Sequence, residues 1–156
     1  MEGFFAKLNN SFTFVNIYGP NENQIPFWDS LFGGSLVYLE HLLMVGDLNF
    51  SISDSEAWGT HARKDGLSDY FSHKLLSSDL LDLVPVKLKP TWSNQRVGMN
   101  YVAKHIDRFL LHDLTIHVSL FHQWIGLGAL SDHCLIFLEI TRVGTKIATP
   151  FKMNDH

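Results

Sequence analysis

The chain has 156 residues, a formal net charge of -4 and a sequence pI of about 6.1, and 46% of its residues are hydrophobic. This length and composition predict one globular domain with a hydrophobic core, and they exclude an intrinsically disordered chain. The acidic balance excludes a strongly basic surface, so binding to a polyanion would need a local basic patch or a bound cation.

The cysteine content and the hydropathy pattern predict a soluble, intracellular protein. Cys134 is the only cysteine, which excludes an internal disulfide and suits a reducing compartment. The first ten residues lack the apolar run of a signal peptide, and no stretch approaches the roughly 18 to 20 apolar residues of a membrane span. We therefore expect a protein that is neither secreted nor membrane-bound, with nucleus and cytoplasm both open.

The first half of the chain alternates strand-like and helix-like segments. Residues 12–18 are rich in β-branched and aromatic side chains and stop at Gly19-Pro20, which predicts a buried strand. Residues 26–43 show helical spacing that Gly33-Gly34 interrupts, so they form either one weak helix or two short pieces. Residues 42–45 then read as a central strand ending at Gly46.

The second half begins with a polar loop at residues 51–66 and a helix whose apolar positions repeat from Leu67 to Leu75, with Ser68 as the expected cap. Three strand-like runs follow without helices between them, which predicts antiparallel neighbours. These runs are residues 105–111, 114–120 and 134–140. The pattern predicts an α/β fold with a mixed, largely antiparallel sheet and flanking helices.

Polar side chains recur where the apolar runs begin or end, and loops at a sheet edge often carry function. These residues are Tyr18, Asp47, Asn49, Asp107, Asp132 and His133. Hydrolysis of a phosphodiester needs carboxylates that bind a hard cation, a base for the attacking water and donors for the developing negative charge. The set contains all three kinds of group. Each motif alone has an ordinary structural explanation, such as an Asx turn at Asp47 or a surface ion pair between Asp107 and Arg108.

The order of five motifs resembles the endonuclease/exonuclease/phosphatase superfamily, most of all the endonuclease domain of plant LINE-type retrotransposons. The motifs are NIYGPN, GDLNF, PTWSN, HIDRFLL and SDHCLIFLEI, at residues 16–21, 46–50, 90–94, 105–111 and 131–140. The resemblance implies that residues 1–143 are the second half of a four-layer α/β sandwich domain. It also implies that residues 144–156 are a tail or linker.

The resemblance implies a role for each matching residue. Catalytic roles fall to Tyr18, Asp47, Asn49, Asp107 and His133, with Asp107 pairing with His133. Metal ligation of Mg²⁺ or Mn²⁺ falls to Asp132 and Asp47. Substrate contacts fall to Asn49, Trp92 and Arg96. The implied activity is metal-dependent phosphodiester hydrolysis of nucleic acid, most readily DNA, with the first half of the domain or a reverse transcriptase domain as a further partner.

The chain also departs from the family pattern. His105 occupies a position where the family usually has arginine, and arginine offers a fixed fork of donors that histidine lacks. The family asparagine and metal-binding glutamate that precede the Tyr18 strand have no match, so activity should be impaired and an apolar sheet face exposed. Three other interpretations stay open: a non-catalytic truncated remnant, an inositol or lipid phosphatase of the same superfamily, and an unrelated structural protein.

Overall fold

The computed structural model describes residues 2–5, 10–63, 65–116, 119–128 and 131–142. In the described residues the strands are β1 (Glu2–Phe5), β2 (Asn10–Tyr18), β3 (Leu42–Asp47), β4 (Ala57–Trp58), β5 (Leu80–Asp82), β6 (Trp92–Ser93), β7 (Ala103–Lys104), β8 (Asp107–His112), β9 (Ser119–Ile125) and β10 (Ile136–Arg142). The helices are α1 (Gln24–Phe32) and α2 (Ser68–Ser77). Short 3₁₀ turns lie at Ser35–Tyr38, Asp54–Glu56, Gly98–Asn100 and Asp113–Thr115.

The central sheet has the strand order β1-β2-β3-β8-β5. Only the β2–β3 pair is parallel, and the other pairs are antiparallel. Two smaller sheets, β10-β9 and β4-β7-β6, complete the strand set in the described residues. The prediction of a mixed, largely antiparallel sheet with flanking helices is therefore confirmed.

The helices cover one face of the central sheet. Side chains of α1, the first 3₁₀ turn and α2 pack with alternate residues of the buried strands, as the two-residue period of a strand requires. This cluster includes Trp28, Phe32, Val37, Phe71 and Leu75 from the helical segments, with Ile17, Leu42, Met44 and Leu110 from the sheet. The continuous apolar run of β3 has one set of side chains for each face, which is why it lies in the middle of the sheet.

The β9–β10 hairpin lies against the other face. Leu43, Phe109 and Leu111 form a buried cluster there, and Phe121 and Leu138 of the hairpin pack against it. The contact is incomplete, since an apolar cavity of about 320 Å³ remains between the hairpin and the sheet. The sequence predicted an exposed apolar face here, and the hairpin covers part of it.

Of the two forms left open for residues 26–43, the structure has the two short pieces, which are α1 and a 3₁₀ turn. Two other local predictions need correction. The Ser68 hydroxyl does not cap α2, because it donates to the carbonyl oxygens of Ser51 and Asp65. A strand over residues 114–120 is wrong: the chain makes a 3₁₀ turn at Asp113–Thr115 and β9 begins at Ser119.

The predicted tail at residues 144–156 lies outside the described residues. Within the described parts of the chain, neither helix is long or apolar enough to traverse a lipid bilayer.

Gly46 fixes the approach of β2 to β3 immediately before Asp47. Its φ is 149°, and a Cβ atom would lie 1.9 Å from the carbonyl oxygen of Ile17. We expect Gly46→Ala to lower the free energy of unfolding by about 1–3 kcal/mol, because the backbone is strained and the strands must separate. Urea unfolding would measure this. Gly66→Ala is the control, since its added methyl meets nothing within 4 Å; equal losses in both variants would contradict the explanation.

Candidate active site

The register of the central sheet brings three strand ends together. Tyr18 is opposite Asp47 in the parallel β2–β3 pair, and Asp47 is opposite Asp107 in the antiparallel β3–β8 pair. The C-terminal ends of β2 and β3 therefore meet the first residue of β8. The peptide N–H of Gly19 donates to the Asp47 carbonyl oxygen at 2.7 Å, which holds the loop after Tyr18 against β3.

Asp47, Asp107 and His133 form a compact cluster at this edge. His133 Nδ1 lies 3.0 Å from Asp107 Oδ2, and His133 Nε2 lies 3.9 Å from Asp47 Oδ2. A deprotonated carboxylate only accepts hydrogen bonds, so Nδ1–H is the donor to Asp107. One ligand atom from each residue lies within 4.8 Å of the others. The structure thus brings together three side chains that are separated by up to 86 positions, from Asp47 to His133.

Asn49 holds the Asp47 side chain in place through hydrogen bonds. Its backbone N–H donates to Asp47 Oδ1 at 2.7 Å, and its side-chain Nδ2 donates to the carbonyl oxygen of Gly19. Its φ of 63° is a left-handed conformation that asparagine tolerates well. Asn49 therefore ties the turn after β3 to the turn after β2 and fixes the rotamer of Asp47.

Thr91 and Trp92 connect the segment that carries His133 to the sheet. The buried Thr91 hydroxyl oxygen accepts from the backbone N–H groups of Ile106 and Asp107, both at 3.0 Å. The Thr91 carbonyl oxygen accepts from Cys134 N–H at 2.6 Å, and Trp92 and His133 form an isolated antiparallel bridge. One threonine thus connects the backbone of Asp107 to the segment that carries His133.

The other predicted residues are not among the three that converge. Asp132 Oδ2 accepts from the Trp92 indole N–H at 2.9 Å, and Asp132 is not one of the three converging ligands. Tyr18 is 68% exposed at the end of β2, and Arg96 is exposed on the loop after β6.

The charges of the cluster act on one another. Burial raises the pKa of Asp47, the Asn49 N–H lowers it, and the charge of Asp107 raises it, so the net shift is upward. Burial lowers the pKa of His133, but the hydrogen bond and charge of Asp107 raise it more, so this pKa also lies above its usual value. The carboxyl group keeps basic character while the imidazole favours its cationic form.

Asp107→Asn is expected to lower the pKa of His133, because the variant removes both the charge and the acceptor that stabilise the imidazolium. In the wild type this raised pKa stabilises the fold at acidic pH, and the contribution is lost as pH rises through the folded-state pKa. NMR titration of the His133 ring protons would measure the shift. Asp132→Asn is the matched control and should have a smaller effect, since the hydrogen bond of Asp132 goes to Trp92. An unchanged His133 pKa in Asp107→Asn would refute the assignment.

A buried ion-pair network lies on the opposite face of β8 from Asp107. Arg108 is fully buried and pairs with Glu56 and Asp82, which excludes the alternative explanation of Asp107 as a surface ion pair with Arg108. Glu56 Oε2 also accepts from the N–H groups of Ile52 and Ser53, at 2.8 and 2.9 Å, in the loop after Asn49. The network thus joins the loop after Asp47 to the residue that follows Asp107.

Sequence reasoning missed Glu56, although Ser53 and Glu56 have the spacing of a capping box, which the structure contains. His105, at the position of the family arginine, is fully buried, and burial together with the nearby Arg108 lowers its pKa to about 4. It is therefore neutral near pH 7 and cannot replace the charge of an arginine.

The donor set of the cluster fits a hard divalent cation. Mg²⁺ commonly takes only one or two carboxylates from a protein and fills its remaining positions with water and substrate phosphate oxygens. The carboxylates of Asp47 and Asp107 satisfy that requirement, while His133 Nδ1 is already bonded to Asp107.

Among solved structures, the chain is similar to the endonuclease domain of TRAS1, a telomere-specific non-LTR retrotransposon. The TM-score is 0.64 at 14% sequence identity, and the match covers 87% of this chain. The chain spans 59% of the length of that domain. No family model and no curated protein matches the chain. The likeness shows an endonuclease-type α/β fold, which confirms the predicted fold class.

Proposed function

We propose that this chain carries the phosphodiester-hydrolysing site of a retroelement-type endonuclease that acts on nucleic acid, most readily DNA. The observation that carries the proposal is the meeting of Asp47, Asp107 and His133 at one sheet edge, within 4.8 Å of one another. The sequence motifs resemble plant LINE-type endonuclease domains, and the structural likeness to the TRAS1 domain supports a fold of that kind.

The chemistry divides among the three clustered residues. Asp47 accepts the proton of the attacking water, and Asn49 holds its carboxylate in place. His133 points Nε2 toward Asp47 and donates from this nitrogen to a phosphate oxygen. Asp107 fixes the orientation of the imidazole through Nδ1 and stabilises its cationic form.

A bound Mg²⁺ or Mn²⁺ would neutralise phosphate charge and polarise the phosphorus centre. We assign its ligation to Asp47, with Asp132 or Asp107 as the second acid. Because so few protein ligands are available, we expect the cation to bind weakly, with a dissociation constant on the order of millimolar. Around this centre, Tyr18, Asn49, Trp92 and Arg96 are assigned to contacts with the substrate.

The negative net charge is consistent with a role for the cation in binding the substrate. At -4 the chain cannot attract DNA by bulk charge, so the cation and a few local basic residues must do so.

We further propose that residues 1–143 act together with a preceding half-domain, and that a reverse transcriptase domain is a natural partner in a longer polyprotein.

Nicking of supercoiled plasmid tests the proposal. The expected result is conversion to open circles in Mg²⁺ or Mn²⁺ and no conversion in EDTA. Because the cation is held weakly, the rate should keep rising with Mg²⁺ concentration through the millimolar range. A protein that folds cooperatively but shows no metal-dependent nicking at any concentration would overturn the proposal.

A further inference from the structure

A second cleft lies outside the Asp47–Asp107–His133 cluster and shares none of its residues. It has a volume of about 180 Å³ and lies between residues 85–89, which follow β5, and residues 122–125 of β9. In the described residues β9 pairs only with β10, so the cleft runs along the other edge of β9. Residues 89–91 connect the cleft to the cluster. Lys89 lines the cleft, and two residues later the Thr91 hydroxyl oxygen accepts from the backbone N–H of Asp107.

Gln123 is the residue that points to a ligand. Gln123 is one of the residues that line the cleft and is only 5% exposed, yet neither its Oε1 nor its Nε2 has a hydrogen-bond partner. A buried amide without partners is costly, and such a group in a native protein calls for an explanation. A carboxamide presents one donor and one acceptor side by side, which is the pattern of a nucleobase edge.

The remaining lining supplies the positive charge that a nucleotide site needs. Lys87 and Lys89 are both exposed, and neither forms an ion pair with a carboxylate in the part of the chain that the structure describes. Free lysines bind phosphates. Trp124 follows Gln123 along β9, so its side chain points to the opposite face of the strand, where it stacks on Phe137 with ring centroids 5.4 Å apart.

We propose that this cleft binds one nucleotide of an unpaired nucleic-acid strand, with the edge of the base against Gln123 and the phosphate against Lys87 and Lys89. The choice of nucleic acid as the ligand rests on the proposed function. The occupant is an unpaired nucleotide rather than a duplex, because a base inside a stacked, paired helix cannot present its edge to a buried amide. A free phosphate accepts from Nε2 of Gln123 but offers no donor to Oε1.

The experiment measures binding of a short fluorescein-labelled DNA single strand by anisotropy in EDTA, so that no cleavage intervenes. Gln123→Leu replaces the amide by an apolar group of similar size and should weaken binding about tenfold, the effect of losing one base-edge contact. The Lys87→Ala/Lys89→Ala variant should reduce the slope of log affinity against log salt by roughly 0.7 for each lysine.

Two controls separate the parts of the site. Lys74→Ala removes one positive charge from α2, which packs on the opposite face of the central sheet, and should leave binding unchanged. An abasic strand of the same length keeps the phosphates, so it should lose the Gln123 effect while retaining the lysine effect. Duplex of equal length should bind more weakly than the single strand.

Three outcomes would overturn the proposal: wild-type affinity in both cleft variants, equal losses in Lys74→Ala, or a Gln123 effect that persists on the abasic strand. If Gln123→Leu does not fold, the exposed lysine pair and the abasic strand still decide the matter. The result is distinguishable from failure of the proposed function. Base-dependent binding with no plasmid nicking would refute catalysis alone, and nicking without base-dependent binding would refute the cleft alone.

Discussion

Replacing Asp47 by asparagine is expected to reduce metal-dependent plasmid nicking by about 10³-fold, within the range that a positioned general base contributes. The variant keeps the size of the side chain and an oxygen that can accept from Asn49 N–H, so the turn after β3 should persist. It loses the group that accepts the proton from water and a carboxylate suited to the cation. Initial nicking rates in Mg²⁺ would measure the loss.

Asp54→Asn is the matched control, because Asp54 is exposed at the start of a 3₁₀ turn outside the cluster. It should nick at the wild-type rate. The pH dependence adds a second criterion. Asp47 must be deprotonated, so the rate falls at acidic pH. His133 must be protonated, so the rate falls again at alkaline pH. Full activity in Asp47→Asn, with the acidic limb unchanged, would exclude Asp47 as the base.

The strand-end pattern made the cluster predictable from sequence because the sheet converts chain order into position. Once residues 12–18 and 42–45 are both read as buried strands, a parallel pairing puts Tyr18 beside Asp47. The apolar run that begins at His105 supplies the antiparallel neighbour and brings Asp107 to the same edge. The rest followed from motif order, since no local rule links position 133 to position 107.

The errors arose where long-range contacts override local pattern. Residues 114–120 are apolar enough for a strand, but the buried Thr115 hydroxyl donates to the Glu40 carbonyl oxygen at 2.8 Å and holds a turn. Arg108 adjoins an acid in sequence, yet alternation along β8 directs it to the opposite face from Asp107, toward Glu56 and Asp82. The unpaired Gln123 amide is likewise invisible in sequence, because burial and hydrogen bonding appear only after folding.

Arg108→Met is expected to lower the free energy of unfolding at neutral pH by about 3–5 kcal/mol, the range found when one member of a buried ion pair is removed. The reason is the charge left behind. Glu56 and Asp82 would stay buried without a cation, and the pKa of Asp82, which burial already raises, would rise further without Arg108. Acids with raised folded-state pKa values destabilise the fold most above that pKa, so the difference from wild type should shrink as pH falls. Urea unfolding at several pH values would measure it.

Lys74→Met is the matched control, because Lys74 forms its ion pair with Asp29 at the surface, where solvent screens the loss. Equal destabilisation by the two variants would contradict a buried-charge mechanism. Adding Glu56→Gln to Arg108→Met separates the effect of the buried charge from the effect of the hydrogen bonds that hold the loop. Glutamine removes one buried charge but keeps an oxygen that can accept from Ile52 and Ser53 N–H. The double variant should recover part of the lost stability. Because the direct link between the loop after Asn49 and the residue after Asp107 stays broken, its nicking rate should remain below that of the wild type even where the fold is fully populated.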